Sequence, residues 1–144
     1  MSKPLPRIAA VDYGAKRVGL AMTDPLQMFA QPIGAFSPDD ALVHLVELHA
    51  VEGIETVVVG WPLTESGEEG KATRRVEPYF GRLKNTLRDV SIVRQDERHT
   101  SRRAAEALVA AGVRQTARRK KGRLDAAAAV LILQDYLNDV KSEK

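Results

Sequence analysis

Residues 7–24 read RIAAVDYGAKRVGLAMTD, and this stretch decides the fold. Two apolar runs, 7–12 and 17–23, flank a turn in which Gly14 suits a tight reversal. The pattern predicts a β-hairpin whose first strand ends on a carboxylate, Asp12. A carboxylate at the end of a buried strand needs a cation, N–H donors or a metal ion as partner. Asp12 could also be a turn residue that caps the hairpin through its own backbone.

The rest of the chain alternates between strand and helix patterns. The predicted elements after the hairpin are an edge strand in 31–37, a helix from Ser37 to Gly53, strand 56–60, helix 70–86, strand 91–95, helix 100–112 and helix 124–139. This βββαβαβαα order predicts an α/β fold, in which one mixed sheet carries helices on both faces. Residues 1–144 are expected to form a single domain, with 1–6 and 140–144 as frayed tails.

The composition excludes several classes of site. The chain of 144 residues has no cysteine, which excludes disulfides, cysteine zinc sites and a cysteine nucleophile. Its histidines, His44, His49 and His99, are too scattered for a zinc cluster. No apolar stretch resembles a signal peptide or approaches the roughly 18 residues of a membrane span. We therefore expect a cytoplasmic protein with no membrane partner.

Three carboxylates stand at element ends. Asp12 closes the first strand, Glu97 follows the last strand, and Asp125 opens the last helix in line with the apolar positions 128, 129 and 132. Taken singly, each has a structural explanation: a turn for Asp12, a salt bridge to Arg98 or Lys16 for Glu97, and the helix dipole for Asp125.

Taken together, three converging acids repel one another unless a cation joins them. Mg²⁺ prefers oxygen ligands, and two such ions can clamp the attacking and leaving oxygens of a phosphodiester. The predicted cofactor is therefore Mg²⁺ or Mn²⁺, as two ions, with nucleic acid as the substrate.

Basic side chains offer phosphate contacts. The segment 114–123, RQTARRKKGR, has six basic residues and no acid, and it is either a solvated loop or a nucleic-acid contact. The candidate contacts within it are Arg118, Arg119, Lys120 and Lys121. Nearer to the acids in the sequence are Lys16, Arg17, Arg98 and Arg102.

Four motifs, in this order and spacing, resemble the YqgF/RuvX family of the RNase H-like superfamily. They are VDYGAKRVGLAMTD, VVVGWPLTESGEEG, QDERHTSRRAAEAL and KKGRLDAAAAVLILQDYL. The resemblance implies a five-stranded RNase H-like sheet and metal-dependent phosphodiester hydrolysis, with Asp12, Glu97 and Asp125 as both the catalytic and the metal-binding residues. It implies Holliday junction resolution in DNA recombination and repair, or 5′ maturation of pre-16S rRNA in ribosome biogenesis. Junction cleavage would favour a homodimer, whereas RNA trimming would not.

Two residues near these motifs have alternative roles. Trp61, the only tryptophan, could stack on a base or cover the edge of the core. His99 could move protons beside Glu97 or be a plain surface histidine. Trp61, Thr64 and His99 depart from the residues usual in the family, which bears on substrate contacts and not on the acid set.

Two other function classes compete with a nuclease. A nucleotide-binding ATPase of the actin and sugar-kinase type also starts with an Asp-x-Gly hairpin, but it needs a second such domain and a second glycine-rich loop. A non-catalytic nucleic-acid-binding protein could keep the fold without the chemistry. A metal-dependent cleavage assay and an ATP-binding assay separate the three classes.

Overall fold

The computed structural model describes residues 5–97 and 121–142. The described elements are β1 Arg7–Tyr13, β2 Val18–Thr23, β3 Ala30–Phe36, α1 Pro38–Glu52, β4 Ile54–Trp61, α2 Lys71–Thr86, β5 Ser91–Asp96 and α3 Lys121–Ser142. Among these residues, no helix combines the length and the apolar character needed to cross a bilayer.

The five strands form one mixed sheet in the order β3-β2-β1-β4-β5. The hairpin pairs β1 with β2 in antiparallel register, with Asp12 opposite Gly19. Strands β4 and β5 are parallel additions, so β1, β4 and β5 are adjacent and point the same way. The predicted edge position of β3 is confirmed, and its Pro32 removes a donor where an edge strand tolerates the loss.

Side-chain alternation divides the core between the two faces of the sheet. In β1, Ala9 and Val11 pack in a cluster with residues of α1 and α2. Ile8 and Ala10 pack in a second cluster with residues of α3. Helices therefore cover both faces of the sheet, as predicted. Because side chains alternate along a strand, each further residue of β1 faces either α3 or the layer of α1 and α2.

The ends of α1 follow from its sequence. The Ser37 hydroxyl accepts a hydrogen bond from the Asp40 backbone N–H at 3.2 Å, and Pro38 occupies the first turn. At the other end, Gly53 has φ 77°, a left-handed conformation that glycine adopts without strain. These residues stop the helix directly before β4 and so fix where that strand enters the sheet.

Three predicted boundaries need correction or fall outside the described residues. The predicted loop 114–123 is wrong for 121–123, which already belong to α3. The predicted tails are too long, because α3 continues to Ser142 and the Leu5 N–H donates to the Pro25 carbonyl at 2.8 Å. The predicted helix 100–112 lies outside the described residues.

Candidate active site

Two of the three predicted acids lie at one edge of the sheet. Asp12 is near the carboxyl end of β1, and Glu97 directly follows β5. Strand β4 lies between them, and its Gly60 faces α3, two positions after the buried Val58. Alternation puts Asp12 on the α3 face too, two positions after Ala10. The carboxyl ends of three adjacent parallel strands therefore build one site.

The carboxyl groups of Asp12 and Glu97 are in contact through a hydrogen bond. The pKa of Glu97 is raised to about 9, first because burial disfavours its charge, then because of the Asp12 charge and this hydrogen bond, and finally because of Asp96. This raised pKa favours a proton on Glu97 at neutral pH, and the protonated carboxyl can donate a hydrogen bond to Asp12.

The Glu97 backbone is held to the neighbouring strand. Its N–H donates to the Trp61 carbonyl at 3.1 Å, which continues the β4–β5 pairing one residue past the end of β5. The side chain then lies over Gly60, together with Ile132 of α3. The acid therefore projects from a defined backbone position and not from a loose loop.

The third acid, Asp125, belongs to α3, but its side chain lies outside the described part of the structure. The helical face predicted for it is confirmed further along, since Ala128, Ala129 and Ile132 are all buried. Ile132, two helical turns after Asp125, lies over Gly60, as the Glu97 carboxyl does. Among the described side chains, no group of three histidine or acidic residues could hold a metal ion. The metal-binding set of three acids stays a prediction.

The two acids that are described fit a hard divalent cation. Carboxylate oxygens are the ligands that Mg²⁺ and Mn²⁺ take, and a cation would replace the proton that now keeps the pair together. Asp12 and Glu97 are the described residues that would hold it.

The predicted phosphate contacts are only partly described. Lys16 and Arg17 are exposed in the β1–β2 turn, a few residues past Asp12, and their role as phosphate contacts stays a prediction. The remaining candidates lie outside the described residues or side chains: Arg98, Arg102, Arg118, Arg119, Lys120 and Lys121. His99 also lies outside them, and its role stays open.

The structure contradicts base stacking by Trp61. The side chain is 4% exposed and packs edge-on against Phe80, with ring centroids 5.5 Å apart. Its Nε1–H donates to Glu69 at 3.0 Å, and the Arg94 guanidinium lies 4.2 Å from the ring centroid. The indole has no free face for a base, so the alternative holds and Trp61 covers the edge of the core.

Three residues that shape this region were missed in the sequence. Arg94 and Glu69, 3.7 Å apart, enclose the Trp61 ring, and Gly60 makes room for Glu97. Alternation within β5 could have placed Arg94 on the Trp61 side of the sheet, because it lies two positions after Ile92. No local pattern distinguishes Gly60 from a glycine that merely ends a strand.

Comparison with known proteins identifies the family. The model of the RuvX family, described as Holliday junction resolvase, matches residues 6–139. A protein of Salinibacter ruber named "Putative pre-16S rRNA nuclease" is 51% identical over 132 residues, which cover 92% of each chain. A protein of Chlorobaculum tepidum with the same name is 43% identical over 132 residues, covering 92% of this chain and 93% of its own.

Solved structures support the fold. Thermus thermophilus RuvC superimposes with a TM-score of 0.56 at 12% identity, covering 94% of this chain and 96% of its own. The same protein in complex with a Holliday junction substrate gives 0.54 at 15% identity, covering 89% and 92%. At such identities the likeness concerns the fold alone, and it confirms the RNase H-like sheet. With a family model that spans nearly all of its length, the chain belongs to the RuvX family.

Proposed function

We propose that residues 1–144 form one metal-dependent nuclease domain that hydrolyses phosphodiester bonds in nucleic acid. The observation that carries this proposal is the Asp12–Glu97 pair at the shared edge of β1, β4 and β5. Two carboxyl groups in contact destabilise a fold when both are charged, because like charges repel. A divalent cation bound between them would remove this repulsion. Family membership and the names of the relatives support the same chemistry.

The chain's own residues have distinct tasks in this proposal. Asp12 and Glu97, with Asp125 as the proposed third member, would hold the cation. When bound, Mg²⁺ or Mn²⁺ supplies Lewis-acid neutralisation of charge at the scissile phosphate. Lys16 and Arg17 neutralise the neighbouring phosphates and orient the strand. On binding the cation, Glu97 would release its proton to solvent.

Pre-16S rRNA, cleaved in its 5′ leader, is the substrate that we propose first, because relatives up to 51% identical are named "Putative pre-16S rRNA nuclease". A four-way DNA junction is the second, because the family is described as a resolvase. Symmetrical cleavage of a junction needs two copies of the chain, so we propose a homodimer only for that substrate. A cytoplasmic location stays a prediction.

A panel of labelled substrates tests the proposal: a pre-16S 5′ leader, single-stranded RNA and DNA, and a four-way junction, each with Mn²⁺ or with EDTA. We expect metal-dependent cleavage by the wild type and none by Asp12→Asn, because an amide binds a hard cation poorly. Asp89→Asn is the matched control, since Asp89 is exposed and precedes the amino end of β5, whereas Glu97 follows the carboxyl end. Binding without cleavage by the wild type would instead favour a non-catalytic nucleic-acid-binding protein.

A further inference from the structure

Gly60 occupies the centre of the site without contributing a functional group. It lies in β4, between the strands that carry Asp12 and Glu97, and it faces α3. The three residues that precede it in β4, Val57, Val58 and Val59, are fully buried. A glycine at the following position therefore needs a reason.

The reason lies in what a side chain would meet there. A Cβ atom on Gly60 would stand 2.8 Å from both Cδ and Oε2 of Glu97, and 2.6 Å from Cδ1 of Ile132. Ordinary contacts begin near 3.4 Å, so the Glu97 carboxyl would have to move by about 0.6 Å and the Ile132 methyl by about 0.8 Å. The Glu97 carboxyl and the Ile132 methyl are both at the ends of side chains, so they can move while the backbone stays in place.

We infer that Gly60 is a positioning residue for Glu97. Because Gly60 has no side chain, the Glu97 carboxyl can lie against β4 and reach Asp12. The cation affinity of the site then depends on this space as well as on the acids. The inference rests on the proposed function, because it assigns Glu97 to the metal.

Gly60→Ala tests the inference, with Gly81→Ala as the matched control. Gly81 lies in α2, and a Cβ atom there would meet nothing within 4 Å. We expect Gly60→Ala to weaken Mn²⁺ binding about 10–100-fold, which is the usual effect of substituting a residue that positions a metal ligand. Cleavage should fall in parallel. Gly81→Ala should bind Mn²⁺ and cleave like the wild type. Mn²⁺ binding is measured by calorimetry, which needs no substrate.

A second variant separates positioning from packing. Adding Ile132→Val to Gly60→Ala removes the Cδ1 atom and relieves the closer of the two clashes, but the clash with Glu97 stays. We expect the double variant to regain melting temperature and not Mn²⁺ affinity. If both return, the defect was one of packing and the inference is overturned. Wild-type Mn²⁺ affinity in Gly60→Ala itself would overturn it as well.

Failure of the proposed function would look different. If the wild type neither binds Mn²⁺ nor cleaves, the nuclease proposal falls, and crystal structures of the metal-free proteins decide the role of Gly60. The inference requires the Glu97 carboxyl of Gly60→Ala to be displaced and its hydrogen bond with Asp12 to be broken. An unmoved carboxyl in that structure would refute it.

Discussion

Replacing Glu97 by glutamine tests the acid pair through its proton. Glutamine has nearly the same shape as a protonated glutamate, and its amide can donate to the Asp12 carboxylate as the Glu97 carboxyl does. The Glu97→Gln protein should therefore fold like the wild type and behave as a wild type whose proton cannot leave.

The size of the effect follows from proton linkage. The pKa of Glu97 is about 9 in the folded protein, against 4.5 for the free side chain. Between these values the folded protein keeps a proton that the unfolded chain releases. The stability that this carboxyl contributes is thus fully present below pH 4.5 and is lost as the pH rises towards 9.

One retained proton changes the free energy of unfolding by about 1.4 kcal/mol per pH unit. From pH 5 to pH 8, the wild type should lose up to about 4 kcal/mol relative to Glu97→Gln. Glu97 is only partly buried, and solvent screening can reduce this figure to about 2 kcal/mol.

Urea unfolding in EDTA at pH 5, 6, 7 and 8 measures the effect, and the quantity of interest is the difference between the two proteins at each pH. All other titrating groups are present in both proteins and largely cancel in that difference. We expect the free energy of unfolding of Glu97→Gln to increase relative to that of the wild type with each rise in pH. A difference that stays constant across this range would show that Glu97 is ionised in the folded protein, and the reasoning from the acid pair would be wrong.

Three further predictions concern the metal, the basic segment and the core. Because the cation must displace the Glu97 proton, wild-type Mn²⁺ affinity should rise up to tenfold per pH unit between pH 6 and pH 8, and Glu97→Gln should show no such rise by calorimetry. Replacing 118–121 with alanine should lower the log–log salt slope of substrate binding by about 0.7–0.9 for each phosphate that is no longer neutralised, while an unchanged slope would identify a solvated segment. Thr23→Val should cost about 1–3 kcal/mol in urea unfolding, because the buried Ile8 N–H loses its acceptor, the Thr23 hydroxyl at 3.0 Å; a neutral effect would show that this bond is replaceable.

Much of the fold was predictable because its signals are local. The hairpin and its exit carboxylate occupy a single short segment, and the structure forms this hairpin as predicted. Asp12 and Glu97 could be placed together because parallel strands present their carboxyl ends at one edge.

The errors came from contacts between distant segments and from a weak local signal. Trp61 could not be assigned to the core from its neighbours, since Arg94, which covers its ring, is in another strand. The start of α3 was set too late because Gly122 disfavours a helix by about 1 kcal/mol and so indicates a break in the local sequence. Gly60 acts by leaving space for Glu97 and Ile132, and the presence of a glycine does not by itself show that its neighbours need this space.

The parallel pairing of β1 with β4 has a consequence for the time at which the site comes into being. These strands are separated along the chain by β2, β3 and α1, and β5 follows only after α2. Contacts between such remote segments form slowly, because the chain must lose the entropy of closing a long loop before these contacts stabilise it. During synthesis, Asp12 leaves the ribosome long before Glu97 does, and the two meet only when the last strand docks. A growing chain therefore contains only one member of the acid pair until β5 joins the sheet.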